Sequence, residues 1–294
     1  MLIANPIYDV VFKRMMENER VAKFFIGTLL DEIIEAVEVK PQEFTYTDEF
    51  SALAVFRLDF IATIKTNTGE HKKVLIEIQK AKNQIDLMRF RKYLSEQYKK
   101  EDIVNNVKVV LPITTIYILG FNLKEIETPC LKVERNYIDH INKSSLNIKS
   151  DFVEKLTHDS YIVQVEKITN RYQTQLDKLL SIFEQSNFVD DTEITKEFTH
   201  VIDVEDMKLA TDILHYSGTN PAEKKKIEIE QEAWRTVDAM AGELREKLTQ
   251  QNLELAEKDQ ALTEKDQALT EKDQAILQMQ KEMVELKKQL IKKT

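Results

Sequence analysis

The chain has 294 residues, 42% hydrophobic and 32% charged, with a formal net charge of -9. The apolar share suffices for at least one core and the length for one or two domains, while the high charged fraction points to a solvated helical segment. The acidic balance excludes a general nucleic-acid coat, the single cysteine (Cys130) excludes an internal disulfide framework or Cys-based zinc site, and the five glycines form neither a dinucleotide-binding nor a P-loop pattern. The start, Met1 to Pro6, has no basic region and no long apolar run, so it does not read as a signal peptide. The longest uncharged stretch, Val109 to Leu123, is 15 residues and contains Pro112 and Gly120. It falls short of the roughly 20 apolar residues of a membrane span. A cytoplasmic protein without membrane contact is expected.

In chain order, Asp9 to Leu30 has helical spacing, with Val10, Phe12, Met15, Phe24, Phe25 and Leu29 among its apolar positions. Leu53 to Ile64 and Val74 to Gln79 read as strands. Asp86 to Tyr98 reads as an amphipathic helix with Leu87, Phe90, Leu94 and Tyr98 on one face. Val109 to Phe121 reads as a strand broken near Pro112, and Leu131 to Ile138 and Tyr161 to Ile168 are weaker strand signals. This order predicts an α/β domain with a mixed sheet over residues 1–169. A helical segment over 170–239 follows: Leu176 to Phe188, then Ile202 to Tyr216 stopping at Gly218 as a left-handed cap. Thr219-Asn220-Pro221 restarts a helix with a cap residue followed by proline.

Residues 240–294 carry heptads. From Glu257 the sequence reads EKDQALT, EKDQALT, EKDQAIL. Leu248, Leu255, Leu262, Leu269, Ile276, Met283 and Leu290 share one heptad position, a. The d position reads Gln251, Lys258, Lys265, Lys272, Met279 and Leu286. This pattern predicts a coiled coil that forms a homodimer, with a seam weakened by lysine in its middle; the other reading is a solvated single helix.

Asn67-Thr68-Gly69 suits a three-residue hairpin loop with glycine in the left-handed position. Such a loop pairs Thr66 with Glu70, Thr63 with Lys73 and Ile61 with Leu75, and so sets Asp59 opposite Glu77. Like charges directly opposed across a sheet destabilise it unless something cationic lies between them. A lysine or arginine would serve, and so would Mg²⁺, which takes oxygen ligands; the alternative is an exposed sheet face with unrelated acids. Residues 80–100, directly after this strand, hold seven Lys/Arg (Lys80, Lys82, Arg89, Arg91, Lys92, Lys99 and Lys100) against two acids. They form either a solvated helix face or a phosphate-contacting surface for DNA.

The run Arg57-Leu58-Asp59-Phe60…Ile76-Glu77-Ile78-Gln79 resembles the signature of the PD-(D/E)XK nuclease superfamily. It is most similar to the branch of PD-(D/E)XK family transposases, or recombination-promoting nucleases, which carry Glu-x-Gln where other members have an acid, any residue and lysine. Asp9 to Lys13 in the opening helix, Arg89…Tyr93…Tyr98 after the site, and Pro112…Ile116-Tyr117-Ile118 match in the same order. The resemblance covers about residues 5–123. It implies a restriction-endonuclease-like core and metal-dependent hydrolysis of DNA phosphodiesters linked to transposition or recombination. Asp59 and Glu77 would hold Mg²⁺ or Mn²⁺ with the carbonyl of Ile78, and Asp59, Glu77 and Gln79 would form the catalytic set. Asp9, Lys13, Arg89, Lys92 and Tyr93 are supporting candidates; Lys80, Lys82, Arg89, Arg91 and Lys92 would contact DNA. Gln79 stands where lysine usually positions the attacking water, and an amide can only hydrogen-bond. The rival expectation is therefore a catalytically inactive, transposase-derived DNA-binding or scaffolding protein.

Overall fold

The computed structural model describes residues 1–291 apart from 49–50, 80–83, 170 and 190–191; the side chains of 40–59, 84–86, 89, 237–238, 241, 244–245 and 285–291 also lie outside the description. The chain divides into two compact units, Met1–Ala233 and Trp234–Thr294.

The first unit opens with β1 (Leu2–Ala4), α1 (Asp9–Met16) and α2 (Glu19–Leu30). The expected single helix over Asp9 to Leu30 is thus two helices. Asn18 leaves the helical conformation, and its side chain accepts the backbone N–H groups of Arg20 and Val21, capping α2. Then come β2 (Ile34–Asp48), β3 (Ser51–Thr66), β4 (His71–Gln79) and α3 (Gln84–Lys99). A small hairpin, β5 (Asp102–Val104) and β6 (Val107–Val109), precedes β7 (Ile113–Leu119). The chain continues through β8 (Cys130–Val133), β9 (Tyr137–Asp139), β10 (Ser144–Leu146), α4 (Asp151–Leu156) and β11 (His158–Gln164). It ends with α5 (Gln175–Ser181), β12 (Thr195–Glu197), α6 (Glu205–Thr219) and α7 (Pro221–Ile291).

Six strands form one mixed sheet in the order β2-β3-β4-β7-β11-β8. The β2, β3 and β4 strands are antiparallel neighbours, β7 is parallel to both β4 and β11, and β8 closes the far edge antiparallel to β11. One face carries Phe60, Ala62, Ile64, Val74, Ile76, Ile78, Ile116 and Ile118, and it packs into the main core. Phe12 meets Phe25 at 5.3 Å and Phe60 at 5.0 Å between ring centroids, and Phe25 meets Phe183 at 6.0 Å. This aromatic cluster joins α1, α2, β3 and the residues after α5, so residues 175–214 are built into the core with the front of the chain.

Gly218 does not end a helix in the left-handed conformation. The α6 helix runs through it to Thr219, and Gly69 is the one glycine with positive φ among the described residues. A Cβ at Gly218 would sit 2.9 Å from the Ala4 backbone nitrogen and 3.1 Å from the Ile3 carbonyl carbon. Glycine is there because β1 crosses α6 at backbone contact. Asn220 makes the break, and its side chain accepts the N–H groups of Ala222 (3.0 Å) and Glu223 (3.2 Å) at the start of α7. The described residues of the second unit belong to α7, and Leu248, Leu255, Leu262, Leu269, Ile276 and Met283 are each more than half exposed along it. Among the described residues no helix is long and apolar enough to cross a membrane.

Candidate functional site

The site is built on the β3–β4 hairpin. Gly69 has a φ of 86°. Its N–H donates to the Thr66 carbonyl, and the Thr66 N–H donates to the Glu70 carbonyl, both at 2.9 Å. That loop fixes the ladder as expected: Ile64 faces Lys72, Thr63 faces Lys73, Ile61 faces Leu75, and Phe60 faces Ile76. Asp59 and Glu77 are the next residues along their strands. The β4 strand is also hydrogen-bonded to β7, which sets Glu77 beside Tyr117 and Gln79 beside Leu119.

Side chains alternate across the sheet. Val74, Ile76 and Ile78 enter the main core, while Lys73, Leu75 and Glu77 project to the face under α3. There Leu75, Ile61 and Ile113 pack against Phe90 and Tyr93, with Leu94, Tyr98 and Tyr117 at the margin. Phe90 lies 4.6 Å from the Tyr117 ring and 6.4 Å from the Tyr93 ring. Glu77 is 1% exposed. Among the described residues of α3, Phe90, Tyr93 and Gln97 are buried; Leu87, expected on that stripe, is exposed.

A polar layer runs through this face. Lys73, itself buried, pairs with Asp102 at 2.8 Å. The Thr115 hydroxyl bonds the Ser160 hydroxyl at 2.8 Å, and the Tyr98 hydroxyl meets His158 Nδ1 at 2.7 Å. Burial pushes the Tyr117 phenol above its ordinary value; a bond to Thr115 opposes this, and the nearby Glu77 carboxylate adds to it. Burial lowers the His158 imidazole, with Arg135 adding to the effect. Tyr117 was not among the sequence candidates. It sits beside Glu77 through parallel pairing of strands 34 residues apart, which no hairpin loop announces.

The other sequence candidates divide as follows. The Asp59 and Arg89 side chains lie outside the described residues, as do Lys80 and Lys82. Ile78 is buried on the main-core face, and Gln79 ends β4 half-buried, its carbonyl accepting the Gly120 N–H at 2.8 Å. Arg91 and Lys92 are exposed on α3, whereas Tyr93 is buried beneath it. Asp9 and Lys13 belong to α1, which packs on the opposite, Phe60-bearing face. The Asp9 and Val10 N–H groups each donate at 3.0 Å to the carboxylate of Glu230, and Lys13 borders a cavity of about 250 Å³ with Met16, Val37, Val39 and Phe60. Among the described residues no three His, Cys, Asp or Glu side chains converge to hold a metal. No protein-family model, curated protein or solved structure matches the chain.

Proposed function

We propose that the first unit is a restriction-endonuclease-like domain of PD-(D/E)XK type, and that it hydrolyses DNA phosphodiesters in a reaction linked to transposition or recombination. The observation that carries this reading is the β3–β4 register. A loop glycine at φ 86° fixes six consecutive pairs, ending at Phe60–Ile76, one residue short of Asp59 and Glu77. The two acids would hold Mg²⁺ or Mn²⁺, with the Ile78 carbonyl as a further ligand. When bound, the metal would activate water and offset charge on the leaving oxygen. Gln79, two residues beyond Glu77 on the same face, would orient that water by hydrogen bonding. The exposed Arg91 and Lys92, with Lys80, Lys82 and Arg89, would supply sequence-independent phosphate contacts.

The second reading, a DNA-binding or scaffolding protein without catalysis, is favoured by one observation. Glu77 is 1% exposed, with Phe90, Tyr93 and Tyr117 packed on its face, and no lysine stands at 79. A plasmid-nicking assay in Mg²⁺ and in Mn²⁺ separates the readings. The nuclease reading expects metal-dependent cleavage by wild type and none by Asp59→Ala or Glu77→Ala. Equal cleavage by all three proteins overturns the site assignment, and salt-sensitive DNA binding without cleavage selects the second reading.

A further inference from the structure

A polar helix in water persists through many charge pairs three or four residues apart, or through burial of an apolar stripe. In residues 257–277 no acid and base stand three or four apart; Glu257-Lys258-Asp259 and its two copies set opposite charges side by side in sequence. Neighbours of that kind do not face one another on a helix. The polar contacts along this stretch include Gln260 to Glu264 at 3.5 Å, and the Thr263 and Thr270 hydroxyls donate at 2.8 Å to the carbonyls of Asp259 and Asp266, within the helix's own backbone. Meanwhile Leu255, Leu262, Leu269 and Ile276, seven apart, are 57%, 58%, 58% and 54% exposed. Local pairing therefore leaves the repeat largely unsupported, and the stripe is where support can come from.

We propose that residues 248–290 pair with the same segment of a second copy of this chain, parallel and in register. Layer composition sets the direction. In a parallel pair each a position meets a, and each d meets d. Leucine then meets leucine at 255, 262 and 269, and lysine meets lysine at 258, 265 and 272. An antiparallel pair alternates a with d and would set each of these leucines against a lysine. The lysine layers also find opposite charge in the parallel arrangement: a d side chain lies beside the other helix's e position, and e holds Asp259, Asp266 and Asp273. Register is set where the repeat changes. A slip of one heptad would put Lys272 against Met279, so the apolar d positions after residue 278 lock the alignment. Self-matching layers of this kind select an identical chain over an unrelated partner. This inference does not rest on the catalytic reading.

The test uses full-length protein. Sedimentation equilibrium is expected to give the mass of two chains, and oxidation of a Cys130→Ser, Leu269→Cys variant is expected to give a dimer cross-linked through position 269. Lys265→Leu should tighten the dimer at least tenfold, and Met279→Lys should loosen it by a similar factor. Near-UV circular dichroism of the tyrosines, all of which lie before residue 234, checks that the first unit stays folded. A single-chain mass at tens of micromolar, a trimer, no cross-link at 269, or an unchanged dissociation constant for Lys265→Leu overturns the proposal.

Discussion

Replacing Gly218 with alanine tests how β1 is held. In an ordinary exposed helix interior this change stabilises by about 1 kcal/mol, because glycine loses more backbone freedom on folding. Here the added methyl would lie 2.9 Å from the Ala4 nitrogen, 3.1 Å from the Ile3 carbonyl carbon and 3.4 Å from Thr195 Cγ2. The first two are backbone atoms that cannot swing aside. β1 is fixed from its other side, since Ala4 pairs with Thr195 and the Asn5 N–H donates to the Ile194 carbonyl at 2.8 Å. Overpacking of this kind costs about 1–3 kcal/mol. With rigid neighbours the upper part of that range applies, and after the propensity gain about 2 kcal/mol of stability is lost. For a unit of this size that lowers Tm by roughly 4–8 °C. Gly242→Ala is the control. Nothing lies within 4 Å of its Cβ position, so the helix containing it should gain up to about 1 kcal/mol. Thermal unfolding followed by near-UV circular dichroism reads the first unit. Gly218→Asn distinguishes the close approach from a left-handed cap: a cap tolerates asparagine, whereas the contact with β1 penalises it more than alanine. A Gly218→Ala protein as stable as wild type, or asparagine tolerated better than alanine, would refute the reasoning.

Two further outcomes follow from polar groups of the first unit. Glu230→Ala removes a carboxylate that accepts both the Asp9 and Val10 N–H groups at the positive end of α1, so chemical denaturation should show a loss of about 1–3 kcal/mol; Glu230→Gln should recover part of it. Lys196 is 2% exposed and donates to the carbonyls of Ser181 and Glu184; desolvation lowers its ammonium to about 7, opposed by the Glu184 carboxylate. Between about pH 7 and 10 the unfolded chain keeps a proton that the folded chain has released. The Lys196 contribution to stability therefore rises with pH through that window, and its penalty is greatest below it. Urea midpoints for wild type and Lys196→Met at pH 7, 8.5 and 9.5 should diverge in favour of wild type as pH rises. A constant difference would show that Lys196 stays charged in the fold.

What the sequence made legible depends on how local the cause was. The β3–β4 register follows from Asn67-Thr68-Gly69, because a short loop fixes every later pair in its hairpin. Asn220-Pro221 announced the start of α7 by the same logic of local capping. The two helices at Asp9–Met16 and Glu19–Leu30 looked like one because apolar spacing continues across Asn18, whose cap is visible in its backbone angles. The β2 strand drew no expectation from its sequence. It is an edge strand with a register shift between Ile34 and Ala36, which breaks simple alternation, and it carries Pro41, which an edge tolerates. At the site, the placement of Glu77 was readable and its burial was not. Cover by Phe90 and Tyr93 depends on how α3 rotates onto the sheet, and Leu87 shows that apolar spacing alone chose the stripe imperfectly.

The pairing of β1 with β12 carries a consequence for synthesis. Leu2, Ile3 and Ala4 meet Glu197, Lys196 and Thr195, and the Met1 amine bonds the Phe198 carbonyl at 2.9 Å. β1 is synthesised before its partner, and almost the whole first unit must be made before β12 exists. At about 5–20 residues per second that interval is roughly 10–40 s. During it Ile3 and Ala4, fully buried in the finished fold, have no strand to join. A chain interrupted before residue 195 would keep β1 as an open apolar strand, a template for pairing with other nascent chains. Completing β12 is thus a late, long-range closing step, and the yield of folded protein should depend on how quickly translation reaches it.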